Sequence, residues 1–167
     1  MSDSKFDIHL ISPTDEKELI RLSEKLGDPH IAKWFWEDRL KPTMEKLLLS
    51  FRLLFGNPFN MVIDLAGDGV LVLIDIVPGW RANLYAAVWG KNAARNRELQ
   101  RTALAGAMTT LNLKTIDALI GEKNRSARLA ARMVGFKERG SITGFMCYNG
   151  ETMAAIWHEL TRDNLGM

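Results

Sequence analysis

Four basic side chains crowd one short stretch of the second half of the sequence, namely Lys91, Arg95, Arg97 and Arg101. They stand at the entrance of a helix that the apolar spacing predicts over residues 97–111. A helix N-terminus carries unpaired amides and about half a positive charge, so basic side chains at this end oppose the helix dipole. A bound polyanion such as a phosphate group would relieve that conflict. The stretch therefore indicates an anion site, with a solvated basic surface beside a loop as the alternative.

A second pattern begins at Asn124 and reads as a helix, a tight stop and a strand. Asn124 suits a helix N-cap. Gly135 stands where a left-handed C-cap is needed. Between them lies an apolar stripe at helical spacing, made of Ala127, Ala130, Met133 and Val134. The spacing alone predicts a short amphipathic helix that leads into a strand.

The residue identities of this segment resemble a known signature. Asn124-x-x-Ala127, seven further residues and then Gly135-Phe-Lys-x-x-Gly140 are similar to the motif that closes the acetyl-coenzyme A fold of the GNAT N-acetyltransferases. Residues 131–142 and 155–162 look most like the phage-borne and ribosomal-protein-type branches. The resemblance extends over residues 59–162, about two thirds of the chain.

The resemblance implies acetyl-CoA as the co-substrate. In this family the main-chain groups of the fourth strand receive the pantetheine arm, and the N-terminus of the next helix faces the pyrophosphate. The residues that this implies for the cofactor site are Ala87, Val88, Trp89, Lys91, Arg95, Asn96, Arg97 and Asn124.

The phosphate loop of the family reads Arg/Gln-x-x-Gly-x-Gly/Ala, and this chain departs from it. Lys91 takes the first position, Ala94 the first glycine and Asn96 the second small residue. Ala94 tolerates a closely approaching phosphate less well than glycine does. Asn96 accepts left-handed backbone geometry better than most residues.

The resemblance also implies that an amine attacks the thioester directly, which needs a base for the ammonium and a proton for the sulfur. The catalytic candidates are Tyr85, on the predicted fourth strand, and Glu37; Asp64 and Asp75 are further acids that could serve as the base. The alternative for each is a structural or surface role. Many relatives place a tyrosine in the last helix, where this chain has Ala131.

The aromatic run Trp-Phe-Trp at residues 34–36 has two interpretations. It is a core anchor, or it is a binding surface, either a wall of the acceptor site or a protein-contact patch. The second interpretation draws on the enrichment of tryptophan in binding hot spots. Cys147 and His158 are interpreted as packed strand residues.

These residues need elements to position them. A helix is predicted from Ser12, as N-cap, to Leu26, and a second one after Pro42. Apolar runs over 59–65, 70–77 and 82–89, separated by Gly-rich turns, predict an antiparallel meander. A strand is predicted over 115–120, after the helix at 97–111. The helix between this strand and the one before it permits the two strands to pair in parallel. Two further strands, 136–148 and 151–160, are predicted to be joined by a hairpin turn at Asn149-Gly150.

This element order predicts the fold class α+β. We expect a single GNAT-like domain over residues 1–167, with a mixed, mostly antiparallel sheet flanked by helices. The length suits one domain with a full hydrophobic core, and 47% hydrophobic with 25% charged residues is ordinary for a globular protein.

The bulk properties exclude several classes of function. A net charge of +2 argues against nucleic acid as the main partner. The longest apolar run, Val70 to Val77, is interrupted by Asp75 and is too short to span a bilayer, and the N-terminus lacks the pattern of a signal peptide. One cysteine and three scattered histidines show no metal-ligand spacing. We therefore expect a cytoplasmic, metal-free protein, in the host cytoplasm if it is phage-encoded.

The functional hypothesis is an acetyl-CoA-dependent N-acetyltransferase that acts on a primary amine of a protein or a small molecule. The alternative is a catalytically silent GNAT-fold protein that binds and modulates a host or phage protein. The eroded phosphate loop and Ala131 favour the alternative, whereas the clustered basic residues favour retained CoA binding. The sequence leaves the acceptor and the assembly open, with a homodimer as one option.

Overall fold

The computed structural model describes residues 8–32, 43–148 and 151–167, with the side chains of Cys147 and Tyr148 left out. The predictions for residues 34–37 and for the Asn149-Gly150 turn lie outside these residues. The strands are β1 (Ile8–Leu10), β2 (Met61–Leu65), β3 (Gly69–Val77), β4 (Arg81–Val88), β5 (Thr115–Gly121), β6 (Lys137–Tyr148) and β7 (Glu151–Thr161). The helices are α1 (Glu16–Leu26), α2 (Pro29–Ala32), α3 (Met44–Gly56), α4 (Ala93–Thr110), α5 (Arg125–Val134) and α6 (Arg162–Leu165).

The strands of the described chain form one seven-stranded sheet in the order β1-β2-β3-β4-β5-β7-β6. The β4–β5 pair is parallel and every other pair is antiparallel. The predicted meander β2-β3-β4, the parallel pair across a helix and the mixed, mostly antiparallel sheet are thus confirmed.

Helices cover the two faces of the sheet. On one face, α4 and α5 bury a cluster that draws on both ends of the sheet, including Leu71, Leu73, Ile116 and Leu160. On the other face, α1 and α3 bury a second cluster with Val62, Val70, Val72 and Ala87. The alternation of side chains along each strand separates the two clusters.

Two helices begin elsewhere than the sequence predicts. The N-cap of α1 is Asp15, whose side chain accepts from the Glu18 amide at 3.1 Å, and not Ser12. Helix α4 begins at Ala93 instead of residue 97, because the Asn92 side chain accepts from the Arg95 amide at 3.0 Å. The first turn of α4 has no large apolar side chain, so it carries no apolar periodicity that would have revealed it.

Helix α5 confirms both predicted caps and corrects its inner face. The Asn124 side chain accepts from the Ala127 amide at 3.2 Å, and Gly135 has a φ of +124°. A Cβ at Gly135 would lie 2.8 Å from the Asn164 carbonyl oxygen, so the position needs glycine for space as well. Ala130 and Met133 are exposed, and the face toward the sheet runs through Ala127, Arg128, Ala131 and Val134.

We predict that Asn124→Ala lowers the free energy of unfolding by about 1 kcal/mol, because the first turn of α5 loses its cap. Urea unfolding measures the loss. Asn124→Ser is the matched control, since a serine side chain can cap the same amide and should recover most of the stability. Equal stability of the Ala variant and the wild type would contradict the capping role.

His158 lies fully buried on β7, beneath α5. Its Nδ1 is 2.9 Å from the Ile156 carbonyl oxygen, while Nε2 has no hydrogen-bond partner in the described part of the chain. Burial lowers the pKa of His158 below its ordinary value, against the opposing effects of that carbonyl and of Glu138. The neutral imidazole is therefore the form that fits the fold, in line with the interpretation of His158 as a packed residue.

We predict that the folded state loses stability as the pH falls below about 6.5, where the histidine of the unfolded chain begins to bind a proton that the folded state resists. This loss continues down to the lowered pKa of the folded state, with a slope of at most about 1.4 kcal/mol per pH unit. Urea unfolding between pH 5 and pH 8 measures it. His158→Gln cannot titrate, so its stability should fall less steeply over this range; parallel curves would rule His158 out as the source.

Candidate functional site

The sheet is split between its two central strands. In the described residues, β4 and β5 pair at three positions, and the last pair is Asn83 with Asp117. Beyond it, β4 follows β3 as far as Val88, and β5 follows β7 as far as Gly121. The residues from Leu84 to Val88 thus have a partner strand on one side only. A free strand edge presents N–H and C=O groups that an extended ligand can use.

The first turn of α4 follows directly after β4 and lies at the open end of this split, which we call its mouth; the other end, at the Asn83–Asp117 pair, is its closed end. The amides of this turn at Ala93 and Ala94 have no intrahelical acceptor, as at any helix N-terminus. The side chains of Lys91, just before the helix, and of Arg97, just after its first turn, are exposed. A shallow depression of about 630 Å³ follows this part of the helix, lined by Asn92, Ala94, Arg95, Arg97, Glu98, Arg101 and Thr102.

The loop between β4 and α4 is held against the turn between β2 and β3. The carbonyl oxygen of Asp68 accepts from the amides of Trp89 at 2.9 Å and Gly90 at 2.8 Å. The Asp68 carboxylate accepts from Arg95 Nε at 2.8 Å. A Cβ at Gly90 would lie 2.7 Å from the Asp68 Cβ, so glycine permits the tight approach. This contact fixes where the helix N-terminus points.

Several residues assigned to the cofactor site are thus engaged by the scaffold. Trp89 uses its amide on Asp68 and its indole N–H on the Gly67 carbonyl oxygen at 2.7 Å. Asn96 is helical and buried, and its Nδ2 donates to the Gly90 carbonyl oxygen at 2.6 Å, so its tolerance of left-handed geometry is not used. The helix begins before Asn96 and leaves this residue on the inner face.

Arg101 was expected at the helix entrance but serves a structural purpose. Its guanidinium donates to the Val134 carbonyl oxygen at 2.6 Å and to the Leu165 carbonyl oxygen at 2.9 Å. It therefore joins α4 to the end of α5 and to the C-terminal turn. Ala87, Val88, Lys91 and Arg97 border the split or its mouth, Asn124 caps the helix after β5, and their part in cofactor binding stays a prediction.

The closed end of the split carries polar side chains on the face opposite α4. Asn83 and Asp117 point to this face, because their neighbours Ala82 and Ile116 are buried beneath α4. Tyr85 is paired with Val72, so it lies on the same face, and it is 52% exposed. Tyr85 is the next residue of β4 on this face after Asn83, about 6.7 Å further along the strand.

Asp117 is held in place by a side chain from β7. The indole N–H of Trp157 donates to its carboxylate at 2.8 Å. Trp157 is paired with Leu119, and these two apolar side chains are 39% and 37% exposed. The closed end of the split is therefore a carboxylate beside half-exposed apolar groups.

The other predicted acids have different surroundings. Asp64 is buried and accepts from the Arg21 guanidinium and from the Gly67 amide at 2.7 Å, so it fastens α1 to the β2–β3 turn. Asp75 lies in an irregularity of β3 with a φ of +51° and accepts from Asn83 Nδ2 at 3.0 Å. Tyr85 borders the split, and Glu37 lies outside the described residues.

The sequence interpretation missed Asn92, Asp117 and Trp157. Asn92 carried a readable signal, since asparagine is a favoured N-cap. Asp117 alternates with Ile116 and Ala118, which marks it as facing away from α4. Its partnership with Trp157, forty residues later, depends on the strand order and could not be read from spacing.

Comparison with known proteins supports the fold assignment. No protein-family model and no curated protein matches the sequence. Among solved structures, a spermidine N-acetyltransferase from Vibrio cholerae, in complex with CoA and spermine, is similar with a TM-score of 0.79 at 18% identity, over 99% of this chain and 100% of that one.

Two further structures are similar at the same level. The ribosomal-protein-S5-alanine acetyltransferase from Vibrio fischeri has a TM-score of 0.72 at 17% identity, over 98% of this chain and 96% of that one. A GNAT-family acetyltransferase from Bacillus anthracis has a TM-score of 0.71 at 14% identity, over 93% and 94%. The chain therefore has the GNAT fold, as its signature predicted.

None of the helices in the described residues is both long and apolar enough to cross a membrane. The same residues hold no group of three or more histidine, cysteine or acidic side chains arranged to bind a metal ion.

Proposed function

We propose that this chain is an acetyl-CoA-dependent N-acetyltransferase that moves an acetyl group to a primary amine. The observation that carries the proposal is the split between β4 and β5, which opens directly onto the N-terminus of α4. A strand edge can hold an extended arm with amide groups, and a helix N-terminus can hold phosphates. Acetyl-CoA has both parts in this order, and CoA is bound to the similar spermidine N-acetyltransferase.

The residues at the mouth fit the phosphates although the glycines of the family loop are absent. Gly90, one residue before Lys91, permits the close approach of this loop to Asp68 and so helps to set the position of the helix N-terminus. The amides of Ala93 and Ala94 then lie in the first turn of the helix, and Lys91 and Arg97 add charge beside them. In the described chain, no hydrogen bond or ion pair is formed by the side chains of Lys91 and Arg97, so both are available to a polyanion.

The proposed chemistry is direct transfer without an acyl-enzyme. The fold holds the thioester between β4 and β5, where the free edge of β4 can donate to its carbonyl oxygen and stabilise the charge that develops there. Tyr85 lies on β4 beside this position and is the candidate to give a proton to the leaving sulfur. A cytoplasmic location, descent from a phage-borne branch, and a homodimer remain predictions.

The first experiment is thermal melting of the protein with and without acetyl-CoA, together with calorimetry. Saturation at 100 times the dissociation constant adds about 2.7 kcal/mol of stability. For a chain of this size that corresponds to a rise in Tm of roughly 5–10 °C. Transfer of labelled acetyl groups to a panel of amines then tests the reaction. Tight binding of CoA with no transfer would favour a silent protein that binds a partner, and no binding at all would overturn the cofactor site.

We predict that Arg97→Ala weakens acetyl-CoA binding by about fivefold, because one exposed cation at a phosphate contributes on the order of 1 kcal/mol. Calorimetry measures the dissociation constant. Arg52→Ala is the matched control: Arg52 is also an exposed arginine, but it lies on α3, on the other face of the sheet, and pairs with Glu16 at 2.8 Å. Equal affinities of the Arg97 variant and the wild type would remove Arg97 from the site.

A further inference from the structure

Asp117 occupies a special position in the sheet. It belongs to the last pair of the parallel ladder, and the next residue of β5 no longer pairs with β4. Its side chain leaves the sheet on the face away from α4, at the point where the split closes. A thioester that lies between the strands would have its reacting carbon beside this point if the pantetheine arm follows the edge of β4 from the mouth inwards.

The charge of Asp117 is not neutralised by the described residues. Its hydrogen-bond donor is the neutral indole of Trp157, at 2.8 Å. Glu159, which is paired with Asp117 across the ladder, is instead bound by Arg139 at 2.6 Å. Asp75 accepts from the neutral Asn83, but it lies on β3, at the irregularity of its ladder with β4 and not at the edge of the split. In the described residues, the carboxylate of Asp117 therefore has no cation paired with it.

We propose that Asp117 binds the ammonium of the acceptor and takes its proton, and that Trp157 positions the carboxylate. This inference rests on the proposed function and names the acceptor class: a primary amine that carries an apolar or aromatic group. The half-exposed side chains of Tyr85, Leu119 and Trp157 lie on the same face of the sheet as the carboxylate and would cover that group.

The step balances as follows. The ammonium gives one proton to the Asp117 carboxylate, and the nitrogen lone pair forms a C–N bond with the thioester carbon. The C–S bond breaks, and its electron pair goes to the sulfur, which takes the hydroxyl proton of Tyr85. The nitrogen returns its second proton to the tyrosine oxygen. The products are the acetamide, the free thiol of CoA and one proton, which Asp117 releases to water.

The test compares Asp117→Asn with wild type, and Asp75→Asn is the matched control. Asp75→Asn removes a carboxylate from the same face of the sheet, and asparagine tolerates the positive φ at that position. The probes are 2-phenylethylamine, spermidine and hydroxylamine, each with acetyl-CoA. Hydroxylamine is largely unprotonated at neutral pH, so it needs neither an ammonium site nor a base.

With 2-phenylethylamine, we expect Asp117→Asn to reduce kcat/KM by about 10²–10⁴-fold and Asp75→Asn to leave it unchanged. With hydroxylamine, the two variants should differ little, a result that a merely structural role of Asp117 would not produce. Trp157→Phe should give a smaller loss that is also confined to the ammonium probe. Wild type should prefer 2-phenylethylamine to spermidine in kcat/KM. Equal losses on 2-phenylethylamine and hydroxylamine, or none on either, would overturn the role of Asp117.

Calorimetry of 2-phenylethylamine binding to the CoA-bound protein separates this inference from the proposed function. Wild type should bind the amine, and Asp117→Asn should bind it at least tenfold more weakly. Binding that depends on Asp117 without any acetyl transfer would overturn the proposed function and keep the ammonium site. Transfer by wild type that Asp117→Asn preserves would overturn the inference and keep the proposed function.

Discussion

The early end of the β4–β5 ladder is the constraint on which the site depends. Beyond the last β4–β5 pair, each central strand continues in register with its outer neighbour, β4 with β3 and β5 with β7, so each strand keeps a partner along the split. Beneath the split, α4 packs on a core that contains Leu71 from one half and Ile116 from the other. The gap is therefore an opening in the hydrogen-bonded layer above a continuous hydrophobic core, and the strand edges along it stay fixed.

The two ends of the split differ in charge, which separates the binding of an anion from that of a cation. The first turn of α4 brings helix amides to the mouth, with Lys91 just before the helix and Arg97 just after that turn. The closed end carries the carboxylate of Asp117. A substrate that is anionic at one end and meets an ammonium at the other is oriented by both, because a reversed arrangement would bring like charges together.

The parts of the fold that depend on neighbouring residues could be predicted from the sequence. The parts that depend on the pairing of distant strands could not. The apolar runs, the turns of the meander and the Asn124 cap are decided by neighbours in the sequence, and the structure agrees with them. The start of α4 was missed because its first turn has no large apolar side chain, and the inner face of α5 includes Arg128, which no hydrophobic pattern would select. Asp117 becomes notable only through the register that brings Trp157 beside it.

The basic cluster illustrates why residue counting overestimates a ligand site. Arg95 is held by Asp68, and Arg101 binds two carbonyl oxygens at the ends of α5 and α6. Each therefore serves to fix the helix that carries it, since a guanidinium offers several donors in a rigid fork. Of the four cations in the cluster, the two that remain available to a phosphate are Lys91 and Arg97. They stand on either side of the helix turn that Arg95 and Asp68 hold in place. Affinity at this site thus depends on the anchoring of the helix as much as on the charges it displays.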